Sequence, residues 1–198
     1  MVLVAHILLD SSHAADLIER WCRDQDYMYA SKFKRPHRQK QSLAGRCLLR
    51  MIYALNHNPK VDHLDIVSEP NGKPVLSHDK GTQPLWGSIS HSGQMVCAVI
   101  SEDGPIGIDV EQENPTRDIC RLVQFYYPTF KASPQEAYKV WTQLEAFTKM
   151  TGDGLGSSPK LTLENNKDDF LENCRSHSWH SRVMNGFHIS LCLTNSNR

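Results

Sequence analysis

The segment 106–112, IGIDVEQ, constrains the fold more than any other part of the chain. Branched apolar residues alternate in it with glycine and acids, and a β-strand places alternate side chains on opposite faces. The branched residues therefore point one way, and Asp109 and Glu111 both point the other way. Their carboxylates lie about 7 Å apart along the strand, so the two negative charges repel each other unless something compensates.

Two interpretations of this acidic pair stay open on the segment alone. It is typical of an exposed edge strand whose acids face water. It is also typical of oxygen ligands for a hard divalent cation, which binds carboxylates readily. The second interpretation requires a further ligand elsewhere in the chain and a reason for the metal to be there.

Composition argues against two classes of function, nucleic-acid binding and membrane association. The 198 residues suffice for one large domain or two small ones that share a core, and the formal net charge is zero. Broad non-specific binding to nucleic acid needs many cationic contacts, so we expect no nucleic-acid partner. The first ten residues lack the basic start of a signal peptide, and no stretch approaches the roughly 20 apolar residues of a membrane helix. We expect no membrane association.

Cysteine and histidine spacing argues against a disulfide framework and a zinc site. The six cysteines include no C-x-x-C pair, and Cys97 and Cys192 lie in apolar surroundings. Such cysteines are typical of buried thiols in a reducing cytoplasm, where we expect the protein to be. No two of the ten histidines have H-x3-H spacing, so zinc is not indicated.

Hydrophobic periodicity predicts a mixed α and β chain. Its halves, 1–103 and 104–198, each run strand, helix and then further strands, which is compatible with a duplicated α+β unit, although no clear internal repeat is present. The predicted helices are Ala14–Arg23, Gln39–Asn56, Asp118–Tyr126 and Pro134–Met150. The predicted strands are Val2–Leu9, Leu64–Val67, Lys73–Leu76, Trp86–Ser90, Met95–Ile100, Ile106–Val110, Leu161–Leu163 and Phe187–Leu193.

The fourth predicted helix has clear start signals and carries a further acid. Ser133 suits the N-cap, with proline next and Glu136 as the third-position acid. Trp141, Glu145 and Lys149 lie one turn apart, beside an apolar stripe that we expect to face the core. The Glu145–Lys149 spacing is equally typical of an ordinary surface ion pair. The stripe consists of Ala137, Val140, Leu144 and Phe147.

Two polar motifs precede the acidic strand. NGKP, which contains Lys73, has the chemistry of a turn, where a lysine is usually solvated. SISHSG places Ser90 and His91 at the end of an apolar strand, where a polar residue needs no functional reason. Each motif alone is weak evidence for a functional site.

Together, and in order, these motifs resemble the Sfp-type 4'-phosphopantetheinyl transferases of the holo-acyl-carrier-protein synthase superfamily. The resemblance runs through NGKP, SISHSG, GIDVE and W-x3-E-A-F-x-K-x3-G-x-G-L, over residues 71–155. The basic segment 32–50 is more loosely similar to that family's coenzyme A-binding region. The resemblance implies two similar α/β subdomains related by a pseudo-two-fold axis, with the active site in the cleft between them.

The resemblance also implies the reaction: the phosphopantetheine arm of coenzyme A moves onto a serine of an apo acyl or peptidyl carrier protein, releasing adenosine 3',5'-bisphosphate. By resemblance Asp109, Glu111 and Glu145 bind Mg²⁺, with Mn²⁺ as an alternative. Such a cation would neutralise a diphosphate and relieve the repulsion between the paired acids. Glu145 would also accept the serine proton, directly or through water. We expect a monomer.

The remaining implied residues are cationic or polar groups for the phosphates. Lys149 would meet the phosphates where charge builds on the leaving group. Three further residues match the family's phosphate and nucleotide contacts, and three early basic residues are candidates for the 3'-phosphate. The first three are Lys73, Ser90 and His91, and the second three are Arg35, Arg38 and Lys40.

One position departs from the family pattern, and two other functions stay open. The family commonly has lysine before the catalytic glutamate, whereas this chain has Leu144, which falls in the apolar stripe. The aromatic run at 125–130, FYYPTF, stands where the family places part of its carrier-docking surface, but with a different pattern. The alternatives are a coenzyme A-binding paralogue with weakened or lost turnover and an unrelated Mg²⁺-dependent phosphohydrolase.

Overall fold

A computed structural model describes residues 1–57, 64–78, 84–131, 133–154 and 177–194. They form an α+β structure with two antiparallel sheets and five helices. The chain divides into two compact units, Met1–Gly104 and Pro105–Arg198. Within these described ranges, no helix has the length and apolar character needed to cross a membrane.

The first unit is a five-stranded antiparallel sheet with three helices. The strand order is β1-β5-β4-β3-β2, so the first strand pairs with the last. Its elements are β1 (Val2–Leu8), α1 (Ala14–Trp21), α2 (Asp24–Ala30), α3 (Pro36–His57), β2 (Leu64–Ser68), β3 (Pro74–His78), β4 (Leu85–Ser92) and β5 (Met95–Ser101).

Helix α3 supplies the centre of this unit's core. Its apolar residues, with Leu48 and Leu49 almost fully buried, pack with side chains of alternate positions on β5, such as Val96 and Ala98. Every residue of β5 is buried, as expected for a strand with neighbours on both sides. Burial of this apolar surface stabilises the unit at about 25 cal/mol per Å².

A buried ion cluster ties α2 to α3. Asp26 has no exposed surface, and its carboxylate accepts hydrogen bonds from Arg46 (3.1 Å) and from both terminal nitrogens of Arg50. Arg46 also donates to the carbonyl of Ile66, and Arg50 to that of Leu64, so both guanidinium groups reach β2. The charges are paired and hydrogen-bonded, as burial requires.

We expect Asp26→Asn to destabilise the protein by about 3–5 kcal/mol, because the amide leaves two buried guanidinium groups without a counter-charge. The free energy of unfolding should be measured by urea denaturation. Asp24→Asn is the matched control, since Asp24 lies exposed in the first turn of the same helix. Equal stability of the two variants would contradict the structural role of the cluster.

The second unit contains two helices and a three-stranded antiparallel sheet of order β6-β8-β7, in which its first strand again pairs with its last. Helix α5 packs against β6 and β8. The elements are β6 (Ile106–Gln112), α4 (Ile119–Tyr126), α5 (Pro134–Thr151), β7 (His177–Met184) and β8 (Phe187–Thr194).

Helix α5 begins and ends where its sequence predicts. The Ser133 hydroxyl accepts from the Glu136 backbone N–H (3.3 Å), and the Glu136 carboxylate accepts from the Ser133 N–H (3.0 Å), which completes a capping box. At the other end Gly152 adopts a left-handed conformation with φ of 86°, which glycine reaches without steric cost.

Gly107 allows the backbones of β6 and α5 to approach very closely. A Cβ atom at this position would overlap the carbonyl oxygen of Ala146 and lie 2.6 Å from the backbone nitrogen of Met150. Any other residue would therefore push the helix away from the strand. Gly107 thus fixes the height of α5 above β6, two residues before Asp109.

We expect Gly107→Ala to destabilise the protein strongly, because rigid backbone atoms oppose the added methyl group. Gly87→Ala is the control: this β4 glycine would meet mainly side-chain atoms of Leu76, the nearest at 2.7 Å, which can rotate away. Thermal unfolding should show a larger loss of Tm for Gly107→Ala. A smaller loss at Gly107 than at Gly87 would refute the close approach.

The sequence predictions locate most elements but miss two. Helix α2 and strand β7 were not predicted, because α2 has seven residues and β7 is rich in polar, exposed residues without strict alternation. Helix α3 starts three residues earlier than predicted, and α1 ends two residues earlier. The predicted strand Leu161–Leu163 lies outside the described residues.

The cysteine prediction is confirmed where the structure describes it. Cys47, Cys97 and Cys192 are buried. None of the cysteines within the described ranges takes part in a disulfide bond.

Candidate active site

The two acids of β6 differ in their environment. Asp109 is only 4% exposed, whereas Glu111 lies at the sheet margin with a half-buried side chain. Among the described strands β6 lies at the edge of its sheet, but the interpretation of two acids facing water is wrong for Asp109. A buried carboxylate needs a compensating charge, and α5 supplies one.

Lys149 provides that charge from the last turn of α5. Its ammonium nitrogen donates to Asp109 Oδ1 at 2.7 Å, and the lysine side chain is 31% exposed. The close approach at Gly107 makes this contact possible, since it brings the final turns of α5 against β6. The exposed part of Lys149 leaves its charge accessible to an anion from solvent.

Glu111 is held through both carboxylate oxygens. The indole N–H of Trp141 donates to Oε1 at 3.1 Å, and a terminal nitrogen of Arg117 forms an ion pair with Oε2 at 3.0 Å. Arg117 also lies 5.8 Å from the centre of the Trp141 ring. Trp141 is itself buried in the core of the second unit, so it is a rigid donor for Glu111.

Glu145 completes the charge cluster. Burial raises its pKa above the ordinary value of 4.5, and the negative charge of Asp109 raises it further. Lys149 acts in the opposite direction, Glu111 again raises the pKa, and Arg117 lowers it. The pKa of Glu145 therefore responds to every charge in the cluster, and its ionised form is less favoured than that of a glutamate in water.

Leu144 is 1% exposed and belongs to the apolar cluster that includes Tyr138 and Trp141. The prediction that it lies in the core-facing stripe is confirmed. A lysine at this position would have to carry its ammonium group past buried apolar side chains, at a cost in stability.

The described residues contain no group of three or more His, Cys, Asp or Glu side chains that could by itself hold a metal ion. The chemistry of the acid cluster nevertheless suits Mg²⁺, which binds through one or two carboxylates and completes its shell with water and substrate phosphates. Burial is the main cause of the raised pKa of Glu145, and the neighbouring acids Asp109 and Glu111 raise it further, so a cation bound beside these acids would favour its ionised form.

In the first unit, two of the residues predicted to bind phosphate line one small cavity of about 90 Å³. Arg38 and His91 face it together with Tyr29 and the buried Arg46. The Arg38 guanidinium lies 4.2 Å from the centre of the Phe33 ring, and burial lowers its pKa. A cation fixed over an aromatic ring beside a histidine is suited to an anionic ligand.

The other residues predicted in this unit do not themselves line that cavity, although Gly72 and Pro74, on either side of Lys73, do. The Lys40 ammonium donates to the carbonyl of Leu9 (2.7 Å) and lines a different cavity. Ser90 is buried and, by strand alternation, points to the opposite face of β4 from His91. Arg35 lies exposed just before α3, and Lys73 lies in the turn between β2 and β3, where Asn71 accepts from its backbone N–H.

Sequence reasoning missed Arg117 and Arg46. Arg117 lies in an irregular loop, and only its charge and its six-residue distance from Glu111 could have drawn attention to it. Arg46 falls inside the basic segment 32–50, but its pairing with Asp26 could be recognised only if α2 had been predicted.

Comparisons with known proteins find similarity to 4'-phosphopantetheinyl transferases. Residues 11–103 match the family described as "4'-phosphopantetheinyl transferase, N-terminal". The 4'-phosphopantetheinyl transferase HetI of a Nostoc species is 27% identical over 144 residues, which cover 68% of this chain and 61% of the relative.

Two further relatives have higher identity over shorter stretches. The 4'-phosphopantetheinyl transferase psf-1 of Bacillus pumilus is 31% identical over 59% of this chain and 52% of its own length. The 4'-phosphopantetheinyl transferase AcpT of Salmonella typhi is 32% identical, with coverages of 56% and 57%. The chain is therefore similar to 4'-phosphopantetheinyl transferases, with the family model covering residues 11–103 and the matches to these relatives covering 56–68% of this chain. The matches span about half to three fifths of the length of these curated relatives.

We expect Glu145→Gln to raise the free energy of unfolding of the metal-free protein at neutral pH. A raised carboxyl pKa means that the folded state favours the protonated form, so ionisation costs stability above that pKa. The gain should shrink as the pH falls through the raised pKa and vanish below 4.5, where folded and unfolded chains are both protonated. Denaturation across pH measures it.

Glu69→Gln is the control, because Glu69 lies exposed in a turn and should give no comparable gain. A Glu145→Gln protein that is less stable than wild type at neutral pH would contradict the electrostatic account of the cluster.

Proposed function

We propose that this protein transfers the 4'-phosphopantetheine group of coenzyme A to a serine of an apo acyl or peptidyl carrier protein in an Mg²⁺-dependent reaction. One observation carries the proposal: a cluster of acids on β6 and α5, in which Asp109 is buried, the pKa of Glu145 is raised by burial and by neighbouring acids, and Lys149 lies at the edge. A diphosphate with its divalent cation supplies the charge that such a cluster lacks.

In this proposal Asp109, Glu111 and Glu145 hold the Mg²⁺, which supplies charge neutralisation for the diphosphate when bound. Glu145 accepts the proton of the carrier serine, directly or through water. Its raised pKa suits that role, because a base that binds protons more tightly removes them more readily at neutral pH.

The proposed reaction is a single displacement at phosphorus. The serine oxygen attacks the β-phosphorus of coenzyme A, and the bond from that phosphorus to the bridging oxygen breaks. The leaving group is adenosine 3',5'-bisphosphate. Lys149 donates to the oxygens on which negative charge builds, turning from Asp109 as the substrate brings its own cation.

The first unit would bind the nucleotide side of coenzyme A. Arg38 and His91 line one cavity and are the best-supported anion contacts, and their proposed role is to hold a phosphate group. Lys73 and Ser90 remain candidates from the family motif. Arg35 is free to reach a ligand from its exposed position, whereas Lys40 would first have to release the carbonyl of Leu9.

Several finer predictions stay predictions. They concern the pseudo-two-fold relation of two similar subdomains, the active-site cleft between them, Mn²⁺ as an alternative metal, the cytoplasmic location and the monomeric state.

The test is transfer of labelled pantetheine from coenzyme A to an apo carrier protein, with and without Mg²⁺. We expect wild-type transfer to require the metal and Glu145→Gln to reduce it by at least about 10² because the general base is lost. Lys139→Gln, at an exposed lysine of the same helix, should retain wild-type transfer.

Other outcomes identify the competing functions. A phosphohydrolase would cleave coenzyme A without any carrier, and a binding module would bind coenzyme A without cleaving it. Full transfer by Glu145→Gln with the metal still required would remove Glu145 from the mechanism.

A further inference from the structure

We propose that Arg117 is a positioning residue for the metal site: it fixes the orientation of the Glu111 carboxylate before any metal binds. This inference rests on the proposed function, since it takes Glu111 to be a metal ligand. Arg117 itself would touch neither the metal nor coenzyme A. Its effect would pass entirely through Glu111.

Two residues, Trp141 and Arg117, hold the Glu111 carboxylate, one at each oxygen. Trp141 donates a hydrogen bond to Oε1, and a terminal nitrogen of Arg117 forms an ion pair with Oε2 at 3.0 Å, so different residues contact the two oxygens. These two contacts restrict both the position and the rotation of the carboxylate plane. A carboxylate oxygen has more than one lone pair, so an oxygen that accepts a hydrogen bond can also coordinate a cation.

The loop that carries Arg117 is built to hold it in place. The side-chain oxygen of Asn114 accepts from the N–H (2.9 Å) and the hydroxyl (2.8 Å) of Thr116, and the Asn114 carbonyl accepts from the Arg117 N–H (3.1 Å). The Asn114 N–H in turn donates to the hydroxyl of Tyr138 on α5 at 2.8 Å. The loop is therefore tied to the helix that carries Glu145 and Lys149.

Arginine suits this role better than lysine. Its planar guanidinium is always charged and offers several N–H donors in a fixed geometry, so it can donate to Glu111 while lying near the Trp141 ring.

The experiment measures metal binding without the reaction. Mn²⁺ is titrated into the coenzyme A-free protein and followed by electron paramagnetic resonance. Partners that orient a metal ligand typically contribute 10–100-fold to affinity, so Arg117→Ala should raise the Mn²⁺ dissociation constant about tenfold. Trp141→Phe, which removes the N–H and keeps an aromatic ring, should raise it as well. Arg117→Lys should recover part of the loss.

Arg121→Ala is the matched control, because Arg121 is an exposed arginine on the adjacent helix α4. It should leave Mn²⁺ affinity unchanged, which separates orientation of Glu111 from the loss of one positive charge nearby. The Tm of each metal-free variant checks folding. A merely structural role for Arg117 would lower the Tm of Arg117→Ala without a change in Mn²⁺ affinity.

Two results would overturn the inference while leaving the proposed function intact. One is an Mn²⁺ affinity in Arg117→Ala equal to that of wild type. The other is a tighter affinity, which would mean that Arg117 competes with the metal for Glu111. A wild-type protein that binds no Mn²⁺ would overturn the proposed metal site and this inference together.

Discussion

The close backbone approach of β6 and α5 at Gly107 is the constraint on which the candidate active site depends. Because no side chain separates the strand from the helix there, Lys149 can reach Asp109. The same approach makes Glu145 respond to the charges of both strand acids. One missing side chain thus converts two acids on a strand and one on a helix into a single electrostatic unit. A strand and helix at ordinary packing distance would hold the same residues as separate surface charges.

The electrostatic environment of Asp109, Glu111 and Glu145 suits these acids to a catalytic role more than to stabilising the fold. Burial of a carboxylate is unfavourable unless its charge is matched, and the pKa of Glu145 is raised first by burial and then by the charges of Asp109 and Glu111. In the proposed function, binding of the substrate with its cation removes this unfavourable free energy. Perturbed carboxyl pKa values of this kind concentrate at active sites, because proton transfer requires them.

Much of the fold and the centre of the site could be predicted from the sequence. The strict alternation in 106–112 gives β6, and the serine, proline and acid before α5 give its start. Local rules suffice in these cases, since strand alternation and helix capping involve residues close together in the chain.

What could not be predicted depends on partners distant in sequence. Asp26 looks like one acid in a short polar segment until α3 brings two arginines to it. Strand β7 is exposed over much of its length, so pairing with β8, and not an apolar pattern, makes it a strand. Arg117 could not be predicted for the same reason. Its partner, Glu111, lies on β6, and only the course of the loop after β6 brings the two side chains together.

The two buried charge clusters of the molecule show how structural and functional ion groups differ. In the first unit, the single carboxylate of Asp26 meets two guanidinium groups, and the remaining N–H donors are taken by backbone carbonyls and the Ser68 hydroxyl. This arrangement needs no further cation, and its role is to join helices α2 and α3 to strand β2.

In the second unit the balance is reversed. Glu145 responds to two other acids and only two cations, Lys149 and Arg117, so three carboxylates share two positive charges. A cluster with one unmatched negative charge, at the edge of which a lysine remains accessible, attracts a cation that arrives with an anion attached. In the proposed function that ligand is a divalent metal bound to a diphosphate, and the excess of acids over bases is the local property that would favour it.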